Sequence, residues 1–326
     1  PVIKNLRIYF PSAYIAMMTS VETKELIEEN PYLDEIIGLD KNGKHKGFFG
    51  SLKLIMFLKK RKFDLALVLH PTKRIHILLF LTGIPKRVGW NKKFGFLLTD
   101  RIIHTKHLGQ KHELEYNFDL LRYLGLSYLE KEIFIPIKEK SEIYVEQLLK
   151  NEGIKEKDLL LAIHPSATCP SKIWPYERFA LLADRLIEIY GCKILIVASK
   201  KDIELVNKLI EKMKNPAVNL AGRLSLSQLA SILRRCRLFI SNDSGPVHIA
   251  SAVGTPVISI FGRNQKGLSP LRWGPLGKYD RVIHKEVGCN VCFAHNCKKG
   301  FLCLREISVE EVLKAAEEII RQTNYI

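Results

Sequence analysis

The chain has no apolar stretch long enough to cross a bilayer: its longest, residues 75–84, is about half of what a spanning helix needs. It therefore reads as soluble or peripheral. Low-complexity tracts and fixed-period repeats are also absent, which excludes solenoids and linker-like chains. No secretory leader opens the sequence, and the first residue is Pro1 rather than Met, as in a trimmed or processed piece. Seven cysteines, four of them crowded near the C-terminus, do not make a secreted disulfide frame; they look like intracellular thiols or a metal cluster. Acidic residues are scarce in one region. Residues 41–112 hold 17 Lys or Arg against only Asp64 and Asp100, a local charge of +15 within a chain total of +17. Such a segment attracts polyanions, whether nucleic acid, an anionic membrane face or a phosphorylated substrate. A solvated, Lys-rich surface would share its composition.

At 326 residues and 47% hydrophobic, the chain is long enough for two domains with their own cores, and a single α/β barrel would also fit the length. From residue 159 onward, apolar strands alternate with helical periodicity. A strand over 159–163 precedes a helix over 175–190 with Phe179, Leu182, Ala183 and Leu186 on one face. A strand at 193–198 and a helix at 202–213 follow, and Ser225 with Gln228 makes a capping box for a helix carrying Leu226, Leu229, Ala230 and Leu233. Gly254 stops the next helix before a buried strand at 257–261. The first half predicts strands at 14–18, 35–39, 65–69, 87–90 and 133–137, with helices at 113–124 and 138–152. The fold class is α/β, with two Rossmann-like doubly wound domains, 1–154 and 155–326, facing a cleft. The last helix, 308–322, could pack back on the N-terminal domain. Strand carboxyl ends, and so ligands, fall in such a cleft.

The most informative stretch is 237–250, where a short apolar strand delivers the turn Asn242-Asp243-Ser244-Gly245-Pro246 to a helix start. Gly245 lets backbone approach a ligand, and Pro246 suits a first helical position. Free amides and the helix dipole would point at an anion such as a diphosphate. In a parallel sheet the loop from His164 to Pro175 lies on the same edge, so Lys172 can add a point charge and Thr168 a hydroxyl.

Taken together, Lys172-Ile173-Trp174-Pro175, Leu220-Ala221-Gly222 with Ser225-Leu226, Asn242 to Pro246 with His248, Ala252-Val253-Gly254-Thr255-Pro256 and Phe261-Gly262 resemble the ADP-heptose:lipopolysaccharide heptosyltransferases. Asn30-Pro31-Tyr32-Leu33-Asp34-Glu35-Ile36-Ile37 and Lys111-His112-Glu113 extend the likeness into the first half. The resemblance implies a GT-B architecture, with an acceptor-binding domain over 1–154 and a nucleotide-sugar-binding domain over 155–326. It implies that Asp243, Ser244, Gly245, Pro246 and His248 hold the donor, Asp243 through sugar hydroxyls. Lys172 would stabilise the departing ADP, Thr168 would assist, and Asp202 or Glu204 would take the adenosine ribose. The reaction implied is an inverting displacement that requires no cofactor.

The implied partners are ADP-heptose, a phosphorylated Kdo-lipid A core and the anionic inner-membrane surface of a Gram-negative-type bacterium, from the cytoplasmic side. Lys73, Arg74, Arg87, Lys92 and Lys93 lie in or near loops able to reach that acceptor. In this family the base is an aspartate in a Gly-Asp loop after a first strand. That strand and loop would precede residue 1, so no base is assigned, and this chain alone is expected to bind donor with impaired transfer. Ser166 also stands where the family has a loop glycine. Cys289, Cys292, Cys297 and Cys303, with His295 nearby, could hold a structural zinc or form a reduced-thiol loop. Two rivals remain at this point: a nucleic-acid-binding protein using 41–112, although no nucleic acid is expected since the segment lacks an aromatic-basic signature, and a nucleotide-sugar epimerase of the same architecture.

Overall fold

The computed structural model describes residues 1–289 and 291–323. They form two compact units, 1–132 and 133–326. Unit 1 runs α1 (Val2–Tyr9), β1 (Ala16–Ser20), α2 (Val21–Lys24), β2 (Glu35–Leu39), α3 (Gly47–Lys60), β3 (Leu65–Val68), α4 (Lys73–Thr82), β4 (Lys86–Trp90), β5 (Asp100–Ile102) and α5 (Glu113–Tyr123). Its strands pair in parallel as a two-stranded sheet, β1-β2, and a three-stranded sheet, β3-β4-β5. Phe63 and Ile75 pack against the apolar clusters beneath both sheets.

Unit 2 begins with α6 (Glu139–Asn151) and continues β6 (Leu160–His164), α7 (Tyr176–Tyr190), β7 (Lys193–Ile196), α8 (Ile203–Lys212), β8 (Val218–Asn219), α9 (Leu226–Arg235) and β9 (Leu238–Asn242). Then come α10 (Gly245–Ala252), β10 (Val257–Phe261), α11 (Pro270–Trp273), β11 (Arg281–His284), α12 (Leu302–Arg305) and α13 (Val309–Thr323). All six strands are parallel, in the order β8-β7-β6-β9-β10-β11. Read in chain order this is 3-2-1-4-5-6, the doubly wound dinucleotide-fold order, and its direction reverses between β6 and β9.

The unit-2 core follows from sequence directly. The strands β6, β9 and β10 are mostly apolar, with His164, Ser241, Asn242 and Ser259 as polar exceptions, and are buried at every position, as helices on both faces of a parallel sheet require. The α7 face foreseen from periodicity, Phe179, Leu182, Ala183 and Leu186, is fully buried. Phe179, Leu182 and Leu186 each stabilise by about 1.5–3 kcal/mol, before the entropy of ordering them. The Ser225–Gln228 capping box forms at the start of α9.

Two expectations differ from the structure. Residues 133–137 form no strand; Pro136 offers no amide to a ladder. The boundary lies at 132/133 rather than 154/155, because α6 belongs to the second core. Ser141 Oγ donates to Ser227 Oγ at 3.1 Å, and the Glu142 carboxylate takes Arg234 at 2.9 Å and Arg235 at 3.2 Å. The buried face of α13, Val309, Val312, Ala316, Ile319 and Ile320, lies in the unit-2 core.

Candidate active site in the second unit

The register of β6 on β9 sets His164 against Ser241, so the loops leaving these two strands start side by side at the switch point. Asn242, wholly buried, ties them together. Its Oδ1 accepts from Trp174 N at 3.0 Å and its Nδ2 donates to Pro165 O at 2.7 Å, which fixes both ends of the 165–174 loop. A glycine completes the packing: a Cβ on Gly262 would come within 2.5 Å of Ser171 O and 2.7 Å of Leu304 Cγ. Lys172, in the short 3-10 turn Pro170–Lys172, is thereby brought to the 242–246 turn.

Its ammonium stands 2.9 Å from Asp243 Oδ2, and Arg263 Nη2 approaches the same oxygen at 3.1 Å. Two cations share one buried carboxylate, leaving a net positive charge. Asp243 is 6% exposed and Arg263 8%. Among the described residues, the buried Arg263 Nε has no hydrogen-bond partner. A buried guanidinium nitrogen left unpaired is costly unless an acceptor joins it. Beside this triad α10 begins, with Ser244 as extended N-cap, Pro246 in the first turn and no side-chain cap hydrogen bond. A Cβ on Gly245 would meet nothing within 4 Å, so backbone there is open to close approach.

These groups line a cavity of about 570 Å³, a size ordinary for a nucleotide-like ligand. Its other end is apolar, walled by Val197, Ala198, Leu224, Leu226 and Leu229. A chain of hydrogen bonds joins the two ends. The Ser166 hydroxyl donates to Asp202 Oδ2 at 3.0 Å, so its oxygen accepts from His164 Nε2–H at 3.1 Å. His164 Nδ1 then accepts, with Ser244 Oγ and Ser241 Oγ each at 3.3 Å. Ser241 donates to Asn242 O at 2.8 Å, which makes Ser244 the donor to the ring. Burial pushes the His164 pKa down to about 4, keeping the imidazole neutral.

Of the donor residues named from sequence, Thr168, Lys172, Asp202, Asp243, Ser244, Gly245, Pro246 and His248 all line this cavity. Glu204 does not: its carboxylate is 84% exposed and paired with Lys208 at 2.8 Å. Asp243, expected to bind sugar hydroxyls, also gathers two cations. Arg263, His164 and Ser166 carry functional geometry that the sequence did not single out for the site. Arg263 follows the carboxyl end of a parallel strand, which was the available signal.

In unit 1, Lys73, Lys92 and Lys93 are exposed, with Lys73 Nζ 5.3 Å from the Phe94 ring. Arg74 and Arg87 are committed to structure. Arg74 donates to His45 O and to Ser51 Oγ at 3.3 Å, and Arg87 donates to Ile84 O and to Leu97 O at 3.1 Å. The cysteine segment does not fit the structural zinc: among the described residues no three His, Cys, Asp or Glu are grouped to hold a metal. Cys303 Sγ donates to Gly262 O at 2.9 Å, and Cys297 Sγ accepts from Phe301 N at 3.3 Å.

The profile of glycosyltransferase family 9 (heptosyltransferase) matches residues 51–302. The chain belongs to glycosyltransferase family 9. This makes it a glycosyltransferase, and the two rival classes are not favoured. Among curated relatives of this family member, lipopolysaccharide heptosyltransferase 2 of Escherichia coli (strain K12) is 24% identical, over 98% of this chain and 93% of its own. A crystal structure of a family 9 glycosyl transferase from Veillonella parvula DSM 2008 superposes with a TM-score of 0.90 at 26% identity, covering 98% of this chain and 92% of that one. The E. coli heptosyltransferase WaaC with ADP shares the GT-B fold, with a TM-score of 0.72 at 16% identity over 98% and 94% of the chains. No helix among the described residues is long and apolar enough to cross a membrane.

Proposed function

We propose that the chain transfers heptose from ADP-heptose to a lipopolysaccharide core acceptor with inversion at the anomeric carbon. The observation that carries this reading is the convergence of Lys172, Arg263 and the α10 amides on one end of a cavity whose other end is apolar. The diphosphate sits at the cationic end, where the unpaired Arg263 Nε finds its acceptor. Adenine takes the wall of Val197, Leu224 and Leu229, and the Asp202 carboxylate receives the ribose hydroxyls. The acceptor hydroxyl oxygen bonds to C1 as its proton passes to solvent, the C1–O bond to the diphosphate breaks, and ADP departs with its new charge held by Lys172 and main-chain amides. These fixed charges do the work a divalent metal would otherwise do, so no cofactor is needed.

The acceptor is lipid-anchored and phosphorylated, and the exposed Lys73, Lys92 and Lys93 of unit 1 receive its negative groups. The protein works peripherally at the inner face of the inner membrane, against an anionic surface. Support comes from the names of the curated relatives and from the basic segment. The test is release of ADP from ADP-heptose in the presence of Kdo- or heptose-terminated lipid A. Acceptor-dependent release with product carrying one added heptose is the result expected. Conversion of the donor without acceptor would overturn the reading in favour of an epimerase.

A further inference from the structure

Helix α3 is apolar on two sides, and only one of them has a partner. Gly50, Leu54 and Leu58 face the unit-1 core. Phe48, Leu52 and Met56 recur every four residues on another face, with Phe49 beside them, and this stripe lies in solvent. Phe48 and Phe49 are each 77% exposed, Met56 is 49% and Leu52 is 40%. The two phenyl rings pack edge to face on one another, with centroids 5.7 Å apart. Hydration of two adjacent, fully presented rings is unfavourable, and such a patch marks an interaction surface.

Charge around the stripe decides between occupants. Residues 41–63 carry eight Lys or Arg and no Asp or Glu. Lys44, Lys46, Lys53, Lys59 and Lys60 are exposed, whereas Arg61 is engaged by Glu35 at 2.6 Å and lies over the Phe57 ring. A second copy of this face would bring like charges together. An anionic bilayer supplies what both features need, phosphates for the ammonium groups and an acyl boundary for the rings, and lysine side chains can snorkel between the two.

We propose that α3 is a membrane-docking helix, lying in the plane of an anionic bilayer with Phe48, Phe49, Leu52 and Met56 buried at the acyl boundary and the surrounding lysines on lipid phosphates. This deepens the membrane-surface reading given above and rests on it for its purpose. Docking in this way would hold the enzyme at the surface from which a lipid-anchored acceptor projects.

The test is co-sedimentation of the full chain with vesicles of phosphatidylcholine alone or with added phosphatidylglycerol, without donor. Binding only to the anionic vesicles is expected. The Phe48→Ser/Phe49→Ser variant should lose at least about tenfold in vesicle affinity, and Lys53→Glu/Lys59→Glu/Lys60→Glu should lose as much. Both sets of substitutions change exposed side chains, and unaltered ADP binding by each variant shows that the fold and the donor site persist. Equal binding of the Phe variant and wild type would overturn the proposal. So would wild-type preference for an oligonucleotide over anionic vesicles, or a dimer that the Phe substitutions dissociate. Failure of docking with ADP release to a delipidated acceptor intact would refute this proposal and leave the transfer reading standing.

Discussion

The two units use one type of building block, β-α repeats with parallel strands, to different degrees of closure. In unit 2 the central strands β6, β9 and β10 are buried at every residue. In unit 1, β1 is only half-buried throughout and β3 is buried at Val68 alone. A six-stranded sheet covers the edges of its central strands, whereas sheets of two and three strands leave most strands at an edge. The closed unit holds the convergent charged groups, and within the open unit residues 41–112 concentrate a local charge of +15. Under the proposed function, the rigid half would meet the diphosphate with fixed dipoles, and the diffuse field of lysines, tolerant of geometry, would attract a multiply charged acceptor or a membrane.

This contrast makes its largest claim about catalysis. Lys172→Ala should lower the transfer rate by about 10²–10³-fold, as loss of one preorganised charge-stabilising donor does. Lys92→Ala, an exposed member of a diffuse field, should change it by no more than about threefold, and the loss should shrink further at high salt. Steady-state rates for both variants check this. Comparable losses for the two would erase the distinction between a precise and a diffuse half.

Stability should show the same asymmetry. Phe239→Ala, in a strand with no exposed position, should cost about 3–5 kcal/mol in denaturant unfolding, from lost burial plus the cavity left behind. Leu67→Ala, in the half-buried β3, should cost less than about half of that, since less area is withdrawn from water.

A smaller and sharper effect concerns pH. His164 titrates near 6.5 when unfolded and near 4 when folded, owing to burial. Between those values the unfolded chain binds a proton that the native state does not, so stability falls as pH drops from about 6.5 toward 4. The loss should approach about 3 kcal/mol from this residue. Urea titrations at pH 7 and 4.5 measure it, and His164→Asn should flatten the dependence. In unit 1, His104 is also lowered to about 4, by burial and then by Lys92 and His107, so a residual slope should remain in the variant. A variant with the full wild-type slope would place the acid sensitivity outside the closed unit.

The same contrast explains what the sequence revealed. Strands of unit 2 are legible because burial on both faces demands continuous apolar runs, and the 242–246 turn is legible because Gly245 and Pro246 each do one conformational task. The convergence of Arg263 on Asp243 was not visible, since it depends on which strand neighbours which, a matter of sheet order rather than local pattern. Residues 133–137 read as a strand because alternating Ile residues suit one, but Pro136 has no amide to give a ladder. The exposed face of α3 was hidden for another reason. A helix apolar on two sides looks like an ordinary core helix until the structure shows which side is covered.

Calorimetric titration with ADP tests the central claim most directly, comparing wild type with Arg263→Gln and Lys172→Ala and using adenosine as the control ligand. If a diphosphate lies between Lys172, Arg263 and the α10 amides, each substitution should weaken ADP by at least about tenfold, roughly the worth of one charge-assisted hydrogen bond, and leave adenosine unchanged. Undiminished ADP affinity in both variants would contradict the account.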